Sequence, residues 1–478
     1  MNLRDKLTAP IFQIIQQASE DLDTKSYVIG GWVRDLIIGR QSKDIDIVCI
    51  GSGIDLAKQV SKLMGIKNEV SYFKNFGTAR IHYYKDNQRH EIEFVGARKE
   101  SYSNDSRKPI VENGTLEDDL NRRDFTINTL ALSLSKKDFG ELIDHFNGIS
   151  DLENGVIKTP LDADITFSDD PLRMMRAIRF ATQLDFVIYN PTFEAIERNA
   201  KRLQIISAER TIYELNKIML SPRPSYGIKL LERSGLLGMI LPEVCALKGI
   251  EVLDGKGHKD NYRHTLEVLD NLCANTDNLY LRWAGLLHDI GKAPTKRFDP
   301  KLGFTFHGHE IKGAKMVKNI FRRLKLPLND KMHYVEKMVL LHMRPISLVE
   351  DVVTDSAVRR LLFDAGEDID DLMLLCNADI TSKNYNKVQR FRQNFVIVKQ
   401  KLIEIEQKDR VRSFQPPVTG EDIMRAFGLA PCAQIGQIKS VIKDSILDGA
   451  IPNQREQALE LMYSQGEKLG LKKQEQIS

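Results

Sequence analysis

Gly30-Gly31-Trp32-Val33-Arg34-Asp35, followed after a short loop by Lys43-Asp44-Ile45-Asp46-Ile47, joins a backbone phosphate cradle to a pair of metal-ready carboxylates. Tyr27-Val28-Ile29 is a β-branched run ending in two glycines. Trp32 to Ile38 then carries apolar residues at helical spacing, which predicts that the glycines sit where a strand passes into a helix N-terminus. Backbone N–H groups there favour a triphosphate. Alternation along Asp44-Ile45-Asp46-Ile47-Val48 sends both carboxylates to one face of a strand and both isoleucines to the other. Two hard oxygen ligands side by side suit Mg²⁺, which can bridge an attacking hydroxyl and a leaving pyrophosphate. Together these residues have the pattern of a nucleotidyl-transfer site.

Base choice follows from Ser168-Asp169-Asp170-Pro171-Leu172-Arg173-Met174-Met175-Arg176-Ala177-Ile178-Arg179-Phe180. Pro171 fits the first turn of a helix, and Asp170 and Arg173 are predicted on one face, three positions apart. One acceptor and one donor thus project together. Cytosine and adenine each offer an exocyclic amino donor beside a ring-nitrogen acceptor, whereas guanine and uracil offer a carbonyl beside a ring N–H. An Asp/Arg pair accepts the first two and rejects the others by roughly 10⁴ when a polar partner is left unsatisfied. Arg176 and Arg179 extend this face and are candidates to grip triphosphate or RNA backbone; a solvated basic helix face is the alternative.

These residues need a framework. A chain of 478 residues suggests three or four domains. Before residue 150, runs such as Ala79–Tyr84 and Glu91–Val95 alternate with helical segments; beyond it, nearly everything has helical periodicity. The predicted fold is α+β: a mixed-sheet head over 1–150, an all-α neck and body over 151–250, an all-α histidine-rich block over 262–382 and a helical tail over 383–478. The patch Asp254-Gly255-Lys256-Gly257-His258-Lys259-Asp260 reads as a linker or exposed loop. A net charge of +3 means that any nucleic-acid surface is a local patch. Five cysteines without paired spacing argue against a disulfide framework and a zinc ribbon, and point to a reducing, cytoplasmic setting. The N-terminus has no signal-peptide pattern and no stretch is apolar enough to span a bilayer, so neither export nor membrane insertion is expected.

Leu120-Asn121-Arg122-Arg123-Asp124-Phe125-Thr126-Ile127-Asn128-Thr129-Leu130-Ala131 completes a recognisable set. With the opening motif it closely resembles the class II CCA-adding tRNA nucleotidyltransferase and bacterial poly(A) polymerase superfamily over at least residues 25–245. The resemblance implies a polymerase-β-like head with Asp44 and Asp46 as catalytic Mg²⁺ ligands, and Gly30, Gly31 and Arg34 seating the triphosphate. It places Arg123, Asp124 and Asn128 around sugar and phosphates, and makes Asp170 and Arg173 the base readers, with Asp169 in place of the family's usual Glu. Glu93 is positioned like the family's third acidic residue; Glu91 shares its strand face. The polar segment Tyr102–Asp119 looks like the family's flexible loop, whose presence accompanies the switch from adding C to adding A.

His264, His288-Asp289, His309, His342 and Asp379 resemble the HD metal-dependent phosphohydrolases. Imidazoles with adjacent carboxylates suit a transition metal or Mg²⁺ that activates water for attack on phosphorus. An HD domain can also be a structural part of the RNA-binding body. The leading expectation is addition of CCA to tRNA 3′ ends from CTP and ATP, with the helical body gripping the acceptor arm. A poly(A) polymerase shares these motifs, but there is no long basic C-terminal extension, and Lys43–Val48 with Phe76-Gly77-Thr78-Ala79 is more like the tRNA enzymes. A nucleotidyltransferase and HD modifier of a signalling protein is the third class, and the residues after 382 are too few and too helical for its usual sensing domains.

Overall fold

The computed structural model describes residues 1–42, 44–65, 70–73, 77–85, 88–103, 106–258, 260–350, 354–381, 385–409 and 415–474. Lys43, Phe76, Lys259 and positions 104 and 105 lie outside the described residues. The chain divides into two compact units, Met1–Pro242 and Glu243–Ser478. Residues 1–150 and 151–242 therefore fall within one unit.

The first unit begins with α1 (Pro10–Asp21), β1 (Ser26–Ile29), α2 (Gly31–Ile37), β2 (Asp44–Cys49) and α3 (Gly53–Leu63). It continues through β3 (Val70–Phe73), β4 (Thr78–Lys85), β5 (Gln88–Gly96), β6 (Arg98–Ser103), β7 (Ser106–Asn113), α4 (Leu116–Asn121), β8 (Ala131–Ser133) and β9 (Leu142–Ile143). Seven strands form one sheet in the order β3-β4-β5-β2-β1-β8-β9. β2 lies antiparallel to β1 and parallel to β5. The period-two pattern of β2 is decisive: Ile45 and Ile47 are buried in register with Ile92 and Phe94, so Asp44 and Asp46 share the opposite face.

The segment expected as a flexible loop is different. Tyr102–Asp119 contributes to the antiparallel hairpin β6–β7 and to the first turns of α4, which Thr115 and Asp118 close with a capping box. Paired strands and a cap satisfy the backbone polar groups that a loop would leave to water.

Helices then dominate: α5 (Gly148–Glu153), α6 (Ala163–Asp169), α7 (Leu172–Leu184), α8 (Asn190–Asn199), α9 (Ala208–Met219), α10 (Pro224–Arg233) and α11 (Leu236–Ile240), with β10 (Val156–Ile157) pairing β11 (Val187–Ile188). Met174, Met175, Ala177, Ile178 and Ala181 give α7 a fully buried face, which fixes where its arginines point.

The second unit opens with α12 (Pro242–Cys245), whose first residue still belongs to the first. The expected loop at 254–260 instead contains a hairpin, β12 (Val252–Leu253) with β13 (Lys256–Gly257). Its turn, Asp254-Gly255, has φ of 49° and 70°, the positive values that a tight hairpin turn requires. The helices α13 (Asn261–Cys273), α14 (Leu279–Leu287), α15 (Lys292–Thr295), α16 (His309–Leu324), α17 (Asp330–Leu341), α18 (Met343–Glu350), α19 (Asp355–Ala365) and α20 (Ile369–Asp379) follow, with a small hairpin of β14 (Arg297–Asp299) and β15 (Gly303–Thr305). The tail comprises α21 (Tyr385–Asp409), α22 (Gly420–Phe427), α23 (Ala433–Leu447) and α24 (Arg455–Lys468). Its last three helices have a core of their own around Ile423, Ile438, Ile442 and Met462. No helix among the described residues is long and apolar enough to cross a membrane.

Candidate functional site

In the first unit the chain leaves β1 and turns through Gly30, at φ 79° and ψ −136°, into α2. A Cβ at Gly30 would stand 2.8 Å from Arg123 Nη1 and 3.7 Å from Asp46 Oδ2, so glycine is needed both for the dihedral and for the close approach of the motifs. The Gly30 N–H donates to the Leu130 carbonyl at 3.1 Å. An anion held by this turn would therefore meet the N–H groups from Gly31 onward.

Asp44 is exposed and Asp46 half-buried. Asp46 stands in register with Glu93 and Asp44 with Glu91. Glu91 is committed to Arg80, 2.8 Å away. Burial pushes the Asp46 carboxyl up, with Arg123 opposing and Asp44 adding to the rise; burial and then Asp46 push Glu93 up. Carboxylates that crowd one another in this way have the electrostatics of a cation site, and hard oxygen donors fit Mg²⁺. Between the two glutamates the sequence left open, the geometry favours Glu93.

Arg122 and Arg123 both reach back to Asp119, which is fully buried on α4: Arg122 Nε donates to Oδ1 at 2.9 Å and Arg123 Nη2 to Oδ2 at 3.1 Å. The sequence analysis missed Asp119. Its spacing of three and four residues from two arginines was the available signal.

Four further residues form a continuous relay. Arg34 Nη1 donates to Asn128 Oδ1 at 2.8 Å, Asn128 Nδ2 donates to Asp124 Oδ1 at 2.9 Å, and Arg176 Nε donates to Asp124 Oδ2 at 2.7 Å. Burial opposes the charge on Asp124, but Arg176, Asn128 and Arg173 outweigh it and hold the carboxyl down at about 2. Because this folded value lies below the unfolded one, the pairing stabilises the fold in full above the ordinary carboxylate range. That contribution, about 2 kcal/mol, should be lost as pH falls from about 4 to about 2. Acid titration of thermal stability checks this: Asp124→Asn should flatten the wild-type fall in Tm across that window, and an unchanged slope would show that Asp124 is not responsible.

The base-reading pair departs from expectation. Asp170 is not on the face of α7; its backbone is extended (φ −135°, ψ 99°), and Oδ1 accepts from the Leu172 N–H at 3.2 Å, so it caps the helix. Its Oδ2 accepts from Arg210 Nη2 at 3.4 Å, a contact from α9 that sequence spacing does not reveal. Arg173 Nη2 donates to the Arg122 carbonyl at 2.5 Å, and Asp169 closes α6. Arg179 corrects the reading of a solvated basic face. It is buried and paired through Nε with Glu214 Oε2 at 2.5 Å. The strongly buried opposite face of α7 does not leave room for every arginine outside, and Arg179 is drawn into the α7–α9 packing.

In the second unit, the ends of five helices converge. His264 comes from α13, His288-Asp289 follow α14, His309 begins α16, His342 follows α17 and Asp379 ends α20. They make two groups of three, His264–His288–Asp379 and Asp289–His309–His342, with the ligand atoms in each within 4.8 Å of one another. Asp289 touches both: Oδ2 is 3.3 Å from His288 Nε2 and Oδ1 is 3.4 Å from His309 Nε2. Nδ1 of His288, His309 and His342 faces the Gly285, Phe306 and Val339 carbonyls at 2.8, 3.0 and 2.7 Å, and His264 Nδ1 faces Thr381 Oγ1 at 2.8 Å. A ring that donates from Nδ1 to a carbonyl presents a bare Nε2 to the centre, the orientation that a metal requires. His288 Nε2 is buried without a hydrogen-bond partner of good geometry, and His309 and His342 oppose Nε2 atoms 3.3 Å apart. This donor set fits divalent ions. Burial disfavours charge on His288, but Asp289 and Asp379 raise it to about 9; burial and His288 lower His342 to about 4. Lys292 Nζ lies 2.6 Å from Asp289 Oδ2. A Cβ at Gly291 would come within 2.0 Å of the His309 carbonyl, so only glycine lets α16 start here.

Comparison with known proteins matches the segments of the chain that carry both groups of residues. Residues 26–158 match the model of the poly A polymerase head domain, 185–248 that of a probable RNA and SrmB-binding site of polymerase A, and 261–383 the HD domain. The chain is 32% identical over 352 residues to the A-adding tRNA nucleotidyltransferase of Deinococcus radiodurans, covering 71% of this chain and 77% of that protein. It is 28% identical over 455 residues to the CC-adding tRNA nucleotidyltransferase of Thermus thermophilus, covering 92% and 94%. With the multifunctional CCA protein of Neisseria gonorrhoeae the identity is 32% over 314 residues, 63% of this chain and 70% of that one. A CCA-adding enzyme in an apo form has the same fold, with a TM-score of 0.63 at 24% identity over 95% of each chain. The Thermotoga maritima CCA-adding enzyme complexed with tRNA gives 0.57 at 21%, also over 95% of each. A head, an RNA-binding segment and an HD domain in this order, with relatives matched over most of their length, show that the chain belongs to the tRNA nucleotidyltransferase family.

Proposed function

We propose that this enzyme adds CCA to tRNA 3′ ends from CTP and ATP without a nucleic-acid template. The observation that carries this reading is the convergence, within one unit, of the Asp44/Asp46 face, the Gly30 turn and the Arg34–Asn128–Asp124–Arg176 relay. Asp44 and Asp46, with Glu93 beside them, would hold Mg²⁺, which when bound supplies charge neutralisation at the attacking and leaving oxygens. Gly30, Gly31 and Arg34 seat the triphosphate, and Arg123, Asp124 and Asn128 orient sugar and phosphates. Asp170 accepts from the amino group of cytosine or adenine, and Arg173 donates to the adjacent ring nitrogen. The division of labour is a head over 1–150, a neck and body over 151–250 that engages the acceptor arm, a phosphohydrolase domain over 262–382 and a tail over 383–478. Five cysteines, none of them in a disulfide among the described residues, support a cytoplasmic setting.

The test uses purified protein, radiolabelled nucleotides offered singly, and tRNA ending at the discriminator base, at C or at CC, against generic RNA. Addition of CMP twice and AMP once, on tRNA alone, is the expected result. Indiscriminate AMP tracts on generic RNA would favour a poly(A) polymerase. Addition of AMP only to tRNA ending in CC is the second reading, favoured by the A-adding relative from Deinococcus radiodurans.

Asp170→Asn keeps a good helix cap while replacing a pure acceptor with an amide, so it isolates base reading from folding. It should depress CTP and ATP use together, by about a hundredfold in kcat/KM. If only ATP use fell, a single shared base-reading pair would be wrong.

A further inference from the structure

We infer that Phe180 is a positioning residue for nucleotide binding, the apolar floor on which the relay around Asp124 is assembled. Three guanidinium groups stand against its ring: Arg34 at 5.0 Å, Arg176 at 5.3 Å and Arg179 at 3.9 Å from the centroid. Phe125 meets the same ring edge-on, with centroids 5.8 Å apart and planes at 80°. Phe180 itself is buried.

The three cations differ in what they hold. Arg179 is committed to Glu214 and anchors α7 to α9. Arg34 and Arg176 are the two ends of the relay through Asn128 and Asp124. Both ends therefore stand against one aromatic ring, although Arg34 comes from α2, Arg176 from α7, and the middle of the relay from the segment between α4 and β8. The negative face of a benzene ring attracts guanidinium, and the attraction strengthens where water is excluded. An aliphatic side chain of similar size would fill the space but leave both arginines without that orienting partner. The sequence hides this role, because a phenylalanine on a helix reads as ordinary core.

This inference rests on the nucleotide-binding role proposed for the relay. The experiment compares Phe180→Leu and Phe180→Met with Phe180→Tyr in the full chain, using tRNA lacking the terminal nucleotides. Far-UV circular dichroism and Tm establish folding, and KM for CTP, ATP and tRNA is separated from kcat. Leu and Met should each raise KM for CTP and ATP alike, lowering kcat/KM by about tenfold while KM for tRNA holds. Tyr should restore at least half of that loss, because it keeps the ring. Folded Leu and Met variants with wild-type KM for both nucleotides would overturn the inference. So would equal defects in Tyr and Leu, or a loss confined to tRNA affinity. If Leu does not fold, Met against Tyr decides by the same criteria. Failure of the underlying reading has a separate signature: folded Asp124→Asn would retain wild-type nucleotide KM.

Discussion

Alanine at Asp44 or at Asp46 should lower CMP and AMP incorporation by ~10⁴-fold or more while leaving affinity for tRNA within about twofold of wild type. The two side chains project from the same face of β2, and Ile45 and Ile47 anchor that strand from behind, so removing either carboxylate takes away a proposed cation ligand without removing core. Asp46 is also the neighbour that, after burial, pushes Glu93 up, and its loss should return Glu93 toward the ordinary carboxylate range. Asp46→Asn preserves shape and should be as inactive as alanine. Two measurements check the assignment: single-nucleotide incorporation on truncated tRNA, and Mg²⁺ or Mn²⁺ binding to the unliganded protein by calorimetry, in which each variant should weaken the head's site. Substantial incorporation by both alanine variants would refute the site.

The second large effect is in the other unit. Asp289 belongs to one three-residue group and its other oxygen approaches His288 of the second, so Asp289→Asn should abolish metal uptake there, read as bound metal after dialysis by mass spectrometry. Any phosphodiesterase activity on 2′,3′-cyclic phosphates should disappear with it, and nucleotide addition should persist, since every proposed ligand of that centre lies between His264 and Asp379. Asparagine is the better substitution. It keeps the side-chain volume and a polar group at a fully buried position, where alanine would leave a cavity. The double change of His288 and Asp289 to alanine makes the same separation if its Tm shows it folded. Loss of nucleotide addition in a folded variant would mean that the HD centre is coupled to the polymerase and is not an independent hydrolase.

How far the sequence reached depends on the range over which each feature is decided. The face shared by Asp44 and Asp46, the glycine turn before α2 and the helical character beyond residue 150 are local consequences of strand and helix periods, and they were legible. The candidate donors of the HD block were legible too, since few residue types make a bare nitrogen or oxygen donor, and the structure brings them together. Partner choice was not. Arg179 lies at the same helical spacing as Arg176, yet one pairs with Glu214 on α9 and the other with Asp124. Helical period fixes where a Cβ points; the far end of a long side chain goes to whichever charge the packing brings near.

The same distinction separates Glu93 from Glu91, identical by strand face: the register of β4 and β5 sets Arg80 opposite Glu93, yet its guanidinium reaches diagonally to pair with Glu91. It explains why Tyr102–Asp119 resembled a loop: its polar composition says nothing of the cross-strand pairing that makes it a hairpin. The sequence by itself determined which atoms are available for chemistry and on which face of each element they begin. Only the tertiary structure decided that Asp170 caps a helix and meets Arg210, that Asp119 gathers two arginines, that Asp289 stands between two groups of candidate metal ligands and that one phenylalanine stands against the arginines of the relay around Asp124. Those outcomes require residues from different elements to come within a few ångströms of one another, and no local period encodes such distances.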